Sequence, residues 1–462
     1  MTDRSDPRVS PAHGLRVPSS RLGRLARLGG LASTLAGGAI AEGARQIARG
    51  QRPTLPALFL TPRNALRLTD EMARMRGAVM KLGQLMSMET GDLLPPEMAA
   101  AMARLRSEVH PMPPRQLKAT LAANWGSDWL RRFERFDTTP IAAASIGQVH
   151  RARTRDGRDL AIKVQYPGVR RSIDSDVDNL ATMIRWSGVL PPAADPAPLL
   201  AEAKRQLQEE ADYTREAAHL ARFGDLLADT PGLRVPALHA DLSTSDVLAM
   251  EYVAGVPIEG LTASPQAVRD SVATRLVALA LRELFDFGLM QTDPNFANFR
   301  YDPATDTVVL LDFGATRTIP AKMAAGYADL LRAGLEGDAP GIEAAATALG
   351  LIGPGLPAAH LHELQALAEL AFAPLRRPGP VDVAGLGLTE RLRDAGMALA
   401  MEHGPGGHLP PAEVLLVQRK LGGLYLLAHR LGARVPGHAL VAPFATPVRR
   451  DGNMVQRGAA AS

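Results

Sequence analysis

The sequence predicts an α+β fold in two lobes, one built on strands with inserted helices and one mainly helical, preceded by a helical extension. Three observations carry this. Between about 125 and 168 the pattern reads strand, loop, strand, hairpin, strand, with an Asp156-Gly157 turn and the short apolar run Leu160-Ala161-Ile162-Lys163-Val164. After Gly314 the pattern is helical, over about 321–350, 357–372, 387–402 and 411–431. Between the two, 299–301 and 307–311 read as strands joined by the turn residues Asp302-Pro303-Ala304-Thr305-Asp306.

At 462 residues the chain can bury a large core in two or three lobes. Hydrophobic content of 46% with 22% charged residues reads as globular and soluble. The absence of cysteine excludes disulfides, thiolate metal sites and cysteine nucleophiles, and fits a reducing compartment. The net charge of +4 is unevenly placed: residues 1–52 hold nine Arg against three acids, leaving 43 basic and 45 acidic residues elsewhere. The basic character is thus an N-terminal arm, and no nucleic-acid-binding face is expected. Only six of the 52 basic residues are Lys, so Lys81 and Lys163 inside the motifs below stand out.

The elements follow in order. Residues 1–20 are rich in Pro, Ser and Arg and read as disordered. Leu22, Leu25, Leu28, Leu31 and Leu35, with Arg21, Arg24 and Arg27 between them, read as a basic amphipathic helix. Its uncharged run between Arg27 and Glu42 is 14 residues, short of the roughly 20 that span a bilayer. Such a helix can lie on an anionic membrane surface or dock on its own protein. A mitochondrial presequence shares the composition, but no clear cleavage signal is present.

Leu68, Met72, Met75, Val79, Leu82 and Met86 recur at steps of four and three, which predicts a helix over 64–88. Gly77, Lys81, Gln84 and Met88 lie on its adjoining face. Eight of 16 methionines fall between Met72 and Met112 and read as adaptable core packing. Beyond the first strands, helices are expected over 172–187 and 198–224, a strand over 247–253, and a long helix over 266–288. From 435 the Gly- and Pro-rich tail lacks periodicity. The expected organisation is an arm over 1–55, a helical extension over 56–122, an N-lobe over 123–254, a helical C-lobe over 255–440 and a disordered tail over 441–462.

The strongest chemical signal is 291–314, QTDPNFANFRYDPATDTVVLLDFG. It holds Asp293, Asn298 and, in a Leu-Leu-Asp-Phe-Gly run, Asp312. Protein kinases place an orienting carboxylate, a metal-ligating amide and a metal-ligating carboxylate in this order. Phosphoryl transfer asks for these types because magnesium takes oxygen ligands and phosphate charge must be neutralised. The two strands carry Asn298 and Asp312 to the same end of the hairpin. Lys163 sits in Ala-Ile-Lys-Val, the strand context in which kinases hold a lysine against the α and β phosphates.

That lysine needs a carboxylate to keep it charged and aimed. On one continuous helix Glu209, Asp212 and Glu216 lie within about 60° of one another. Such a face calls for cations, with Lys163, Lys81 or a divalent metal as candidates. Where an ordinary kinase has a glycine-rich phosphate loop, this chain has Ala142-Ala143-Ala144-Ser145-Ile146-Gly147. Alanine forbids the φ > 0 geometries that glycine allows, so the loop is expected to be stiffer.

Together these residues resemble the UbiB/AarF family of unorthodox kinases of ubiquinone biosynthesis, most closely its mitochondrial and alphaproteobacterial-type branch. The resemblance rests on Lys81-Leu82-Gly83-Gln84 (the KxGQ motif), Ala142 to Ser145, Lys163, Glu210-Ala211-Asp212 (the ExD motif), Asp293 with Asn298, and Asp312-Phe313-Gly314. It runs from roughly residue 20 to 440. It implies a bilobal protein-kinase-like fold that binds ATP or ADP with Mg. It further implies that Lys163 pairs with Glu216, and that Lys81 and Gln84 reach into the cleft to meet Glu210 and Asp212. By the same resemblance the extension covers the peptide-binding surface, and Asn298 and Asp312 ligate Mg. Ala142, Ala143, Ala144 and Ser145 would cover the phosphates, and the strand bearing Glu251 and Val253 would contact adenine. The helical wheel favours Glu209 as the neighbour of Asp212; the family motif favours Glu210.

Two departures shape the functional expectation. Family members commonly have His-Pro-Gly before the metal-binding Asn; here stand Asn295-Phe296-Ala297. Protein kinases carry a Lys two residues after the catalytic Asp; here it is Asn295, so no cation sits beside Asp293 in the loop. The reading is therefore an Mg-dependent ATP-binding atypical kinase or ATPase first and a protein kinase second. Asp293 orients the nucleophile, water included. The resemblance implies a role in ubiquinone biosynthesis at a membrane. The implied partners are an anionic lipid surface, a lipid-linked or phenolic quinone precursor, and a biosynthetic complex. The implied location is the cytoplasmic side of the inner membrane in a bacterium, or the mitochondrial matrix and inner membrane in a eukaryote. The alternatives are a nucleotide-switched, chaperone-like scaffold and a small-molecule phosphotransferase.

Overall fold

A computed structural model describes residues 112–144, 146–187, 197–353, 358–388 and 410–445. The basic arm, the helix expected over 64–88 with Lys81 and Gln84, Ser145, and nearly all of 387–402 lie outside the described residues. The helices are α1 (Pro114–Trp125), α2 (Val169–Ser187), α3 (Ala197–Glu210), α4 (Tyr213–Leu227), α5 (Gln266–Arg282), α6 (Ala321–Glu336), α7 (Ala339–Ala348), α8 (Ala358–Phe372), α9 (Ala412–Leu431) and α10 (Gly437–Val441). The first strands are β1 (Phe133–Phe136), β2 (Ala142–Ala143), β3 (Gly147–Thr154), β4 (Asp159–Gln165), β5 (Leu233–Arg234), β6 (Val247–Glu251) and β7 (Val256–Pro257). The later ones are β8 (Leu289–Gln291), β9 (Phe299–Asp302), β10 (Thr307–Leu310), β11 (Thr316–Thr318), β12 (Val381–Asp382) and β13 (Arg434–Val435). This mixed α+β chain divides into two compact units, Met1–Ala217 with Leu238–Tyr252, and Ala218–Ala237 with Val253–Ser462.

The first unit is organised by an antiparallel sheet in the order β1-β3-β4-β6, with β2 added on β3. The β3–β4 turn uses Gly157 at φ 94, a conformation that glycine adopts without strain. Every residue from Leu160 to Gln165 of β4 is buried, because α1 packs on Leu160, Ile162 and Val164 while Lys163 and Gln165 on the other face meet Glu216 and the Ala211 carbonyl. That is why the strand reads as a continuous apolar run rather than an alternation. Leu117, Leu121 and Trp125 of α1 pack with Leu160, Ile162, Val164, Val247 and Ala249 in one core. Pro114 starts α1, where a missing N–H costs nothing, and Gly126 ends it. The buried Trp125 Nε1 donates to the Leu242 carbonyl at 2.9 Å.

One expectation fails here. The helix expected over 198–224 is two helices, α3 and α4, parted at Ala211-Asp212. The Arg215 amide donates to Asp212 Oδ1 at 3.1 Å, so Asp212 caps the start of α4. Gln165 Nε2 on β4 donates to the Ala211 carbonyl at 2.8 Å and fixes the corner. A helical wheel drawn through Glu209, Asp212 and Glu216 therefore does not apply.

The second unit holds a sheet in the order β5-β10-β9-β7 and the pair β11-β8. The β9–β10 hairpin runs from the pair Asp302–Thr307 to the pair Phe299–Leu310. Asp306 in its turn has φ 49, the one positive φ outside glycine among the described residues. Leu284, Met290, Ile319, Tyr327, Leu349, Val414 and Val417 form a core. The helix expected over 266–288 is α-helical to Arg282, widens into a π turn over Glu283–Phe287, and stops at Gly288, φ 59. The helix expected over 321–350 breaks at Gly337, φ 74, and Asp338 caps α7 by accepting from the Gly341 amide at 3.1 Å. The aperiodic tail is ordered as far as α10 and a 3₁₀ turn at Ala442–Phe444, where Phe444 stacks on Phe285 at 4.8 Å. Among the described residues, no helix is long and apolar enough to cross a membrane.

Candidate functional site

In the first unit the structure brings Lys163 and Glu216 together. Lys163 Nζ donates to both Glu216 oxygens, at 2.8 and 3.0 Å. The two side chains are 9% and 1% exposed, so neither charge is compensated by water. Such a pair is fixed in place, because removing one partner strands the other and costs roughly 3–5 kcal/mol. The α3–α4 corner makes the pairing possible: Tyr213 and Glu216 lie in the first turn of α4, and Lys163 Nζ also sits 5.2 Å from the Tyr213 ring centroid.

Two other carboxylates of this region meet arginines. Glu209 pairs with Arg215 at 3.3 Å and Arg205 at 3.9 Å, and Asp212 with Arg170 at 3.7 Å. Glu210 is half-buried at the end of α3. Ala142 and Ala143 are exposed and pair with Val149 and Gln148 as β2, and the Ala144 amide donates to the Gly147 carbonyl at 2.9 Å. Gly147 has no room for a side chain. A Cβ there would lie 2.4 Å from the Val164 carbonyl oxygen and 3.0 Å from the Tyr213 hydroxyl. Glu251 closes β6 half-buried, and Val253 is buried two residues on.

In the second unit the hairpin does what its spacing suggests. The Leu311 amide donates to the Asn298 carbonyl at 2.9 Å, which puts Asp312 one residue beyond that pairing. Asn298 Nδ2 donates to Asp293 Oδ2 at 3.3 Å. Asp312 Oδ1 accepts the Gly314 amide at 2.9 Å, and the buried Phe313 packs 4.9 Å from the Phe223 ring. Thr292 anchors the loop to the Ala315 carbonyl through its hydroxyl, at 2.7 Å.

Asp293 has a cation that sequence reading missed. Arg419 Nη2, on α9, donates to Asp293 Oδ1 at 2.9 Å, with side chains 5% and 17% exposed. The next residue, Lys420, is buried; its Nζ donates to Gln291 Oε1 at 3.1 Å and lies 3.4 Å from Glu283 in the π turn. Burial pushes the Glu283 carboxyl up, and the Lys420 charge opposes that shift. The one hint in the sequence is that Lys420 is among the six lysines.

These groups suit a hard cation. With its amide nitrogen turned to Asp293, Asn298 has its carbonyl oxygen left to offer, and Asp312 adds a carboxylate. Among the described residues no group of three His, Cys, Asp or Glu could hold a metal alone. An all-oxygen pair fits magnesium, which keeps water and takes phosphate oxygens for the rest of its shell.

The chain is similar to known proteins over most of its length. A family model described as the ABC1 atypical kinase-like domain matches residues 104–346. The chain is 37% identical to the Caenorhabditis elegans protein named atypical kinase coq-8, mitochondrial, over 91% of its own length and 56% of that relative's. It is 35% identical to the Saccharomyces cerevisiae atypical kinase COQ8, mitochondrial, covering 91% of this chain and 83% of that one. For the Rattus norvegicus atypical kinase COQ8B, mitochondrial, the figures are 36%, 91% and 79%. In structure it is similar to the Rv3197 protein of Mycobacterium tuberculosis solved with erythromycin. The TM-score is 0.59 at 25% identity, over 83% of this chain and 97% of that one.

Proposed function

Because this chain belongs to the ABC1 atypical kinase-like family, the UbiB/AarF group with its kinase-like α+β fold, we propose that it binds ATP with magnesium, cleaves the γ-phosphoryl group and supports ubiquinone biosynthesis. The observation that supports this most is Asp293, Asn298 and Asp312 gathered at the open end of the β9–β10 hairpin. In this reading the Asn298 carbonyl and the Asp312 carboxylate hold the metal. Magnesium, when bound, neutralises charge on the phosphate oxygens. Asp293 orients the attacking water or hydroxyl and takes its proton.

Lys163, kept charged and aimed by Glu216, is the proposed phosphate contact of the first unit. Ala142, Ala143, Ala144 and Ser145 are proposed to cover the phosphates, and Glu251 and Val253 to meet the adenine. Lys81 and Gln84 of the KxGQ motif are proposed partners of Glu210 and Asp212. The basic arm is proposed to hold the protein against an anionic membrane, within reach of a lipid-linked or phenolic quinone precursor and a biosynthetic complex. The location follows as the inner membrane's cytoplasmic face in a bacterium, or the matrix side in a mitochondrion.

The test is ATP turnover by the full chain, with and without anionic liposomes and a phenol resembling a quinone precursor. Asp312→Asn is expected to lose the Mg-dependent part of nucleotide binding. Asp293→Asn is expected to bind nucleotide normally and to lose turnover by roughly 10²–10⁴-fold. Asn295 in the place of a kinase loop lysine keeps a nucleotide-switched scaffold as the second reading. Pathway function that survives Asp293→Asn would favour it.

A further inference from the structure

The loop that carries Asp293 reads Gln-Thr-Asp-Pro-Asn-Phe-Ala-Asn and contains no cation of its own. A phosphoryl group in transfer spreads negative charge over its outer oxygens, beside a carboxylate that is itself negative. Some positive charge must offset both. Arg419 lies against Asp293 at 2.9 Å, from a helix 126 residues farther along the chain.

Three features mark this contact as built rather than incidental. Arg419 has five N–H donors, yet among the described residues its one side-chain hydrogen bond is to Asp293. Its Nε is buried with no partner. A buried guanidinium so sparsely bonded is destabilising in itself. Neighbouring residues of α9 then fix the loop on either side. Lys420 holds Gln291, two residues before Asp293, and Gly423 lets Pro294, the residue after it, lie directly on the helix. Arg419, Lys420 and Gly423 fall within about one helical turn, on the face that meets the loop.

We propose that Arg419 supplies the cation that the loop lacks, acting as a positioning residue that aims the Asp293 carboxylate and offsets the charge of the transferring phosphoryl group. This rests on the reading of Asp293 given above. In the step, the bond from the γ-phosphorus to the oxygen of the departing nucleoside diphosphate breaks. A bond from phosphorus to the water or hydroxyl oxygen forms, and the proton of that oxygen passes to Asp293. Arg419 gives and takes no proton. It holds Oδ1 while Asn298 holds Oδ2, so the carboxylate keeps one orientation.

The experiment compares full-length wild type, Arg419→Ala, Arg419→Lys and Asp293→Asn. The readouts are kcat and KM for ATP hydrolysis and the melting shift produced by ADP with Mg. Arg419→Ala is expected to lose about 100-fold in kcat, with KM and the ADP shift unchanged. Arg419→Lys and free guanidinium ion at millimolar concentration, added to Arg419→Ala, are each expected to restore part of the loss. Wild-type kcat in Arg419→Ala overturns the proposal. So does a loss that neither lysine nor guanidinium repairs and that comes with a lost ADP shift, because that is a purely structural effect. If Arg419→Ala does not fold, Arg419→Lys decides by the same split between kcat and KM. Should Asp293→Asn turn over ATP like wild type, the site reading and this proposal fall together. If Asp293→Asn loses turnover and Arg419→Ala does not, the proposal alone falls.

Discussion

Gly423 of α9 lies so close to Pro294 that a Cβ on the glycine would sit 2.2 Å from the Pro294 Cβ, whereas the adjacent Gly422 faces open space. Two neighbouring glycines in one helix interior therefore have opposite meanings. Gly422→Ala is expected to stabilise the protein by up to about 1 kcal/mol, the usual gain in a helix. Gly423→Ala must push the residue next to Asp293 away. A displacement of about 1 Å in such a loop costs on the order of 100-fold in rate. Urea unfolding and ATP turnover, measured on both variants, check the pair of outcomes.

The buried Lys163–Glu216 pair gives a second test. Glu216→Gln leaves the Lys163 charge without its carboxylate, in a place where the side chain is 9% exposed. The expected loss is about 3–5 kcal/mol. Adding Lys163→Met to that variant is expected to recover part of the stability, because the stranded charge is gone. A double-mutant cycle in urea measures the coupling.

His150 makes stability depend on pH. Gln148 Oε1 accepts the Met112 amide at 2.8 Å, so its Nε2 donates to His150 Nε2 at 2.8 Å. That leaves His150 Nδ1–H to donate to the Asp137 carbonyl, also at 2.8 Å. A ring that accepts at one nitrogen is neutral. Burial holds its pKa below the ordinary 6.5, against a smaller opposing pull from Asp137. As pH falls below 6.5, the unfolded chain takes up a proton that the folded chain does not. Stability then declines by up to about 1.4 kcal/mol per pH unit, until the folded pKa is reached. The difference in urea midpoint between pH 7.5 and 5.5 should be smaller in His150→Phe than in wild type.

Gly147→Ala is expected to cost about 1–3 kcal/mol, the range for forcing a methyl into packed structure. The obstacle is backbone, the Val164 carbonyl oxygen at 2.4 Å, so no side-chain adjustment relieves it. Ala143→Gly removes a methyl from an exposed residue and serves as the mild control. Thermal unfolding of the two variants separates them.

Much of the fold was legible because its local signals were strong. The Asp156-Gly157 turn, the buried β4 run and the β9–β10 hairpin follow from turn chemistry and apolar patterning. The break between α6 and α7 falls inside the helix expected over 321–350, although Gly337, Asp338 and Pro340 are stop, cap and start signals there. The break between α3 and α4 was harder to see. Asp212 is a suitable cap, but the corner is held by Gln165, from a strand 46 residues earlier. Glu209 and Asp212, grouped by the helical wheel with Glu216, each turned instead to arginines.

By itself the sequence determined the chemical parts of the second unit. The β9–β10 pairing, set locally by its turn, brings Asn298 and Asp312 to one end of the hairpin, and Asp293 reaches Asn298 across the short turn at Phe296–Asn298. Tertiary structure alone decided who serves Asp293. Its cation comes from Arg419, 126 residues away, by the packing of α9 on the loop. No periodicity or motif encodes such a contact, since hydrophobic packing positions the helix and the guanidinium arrives with it.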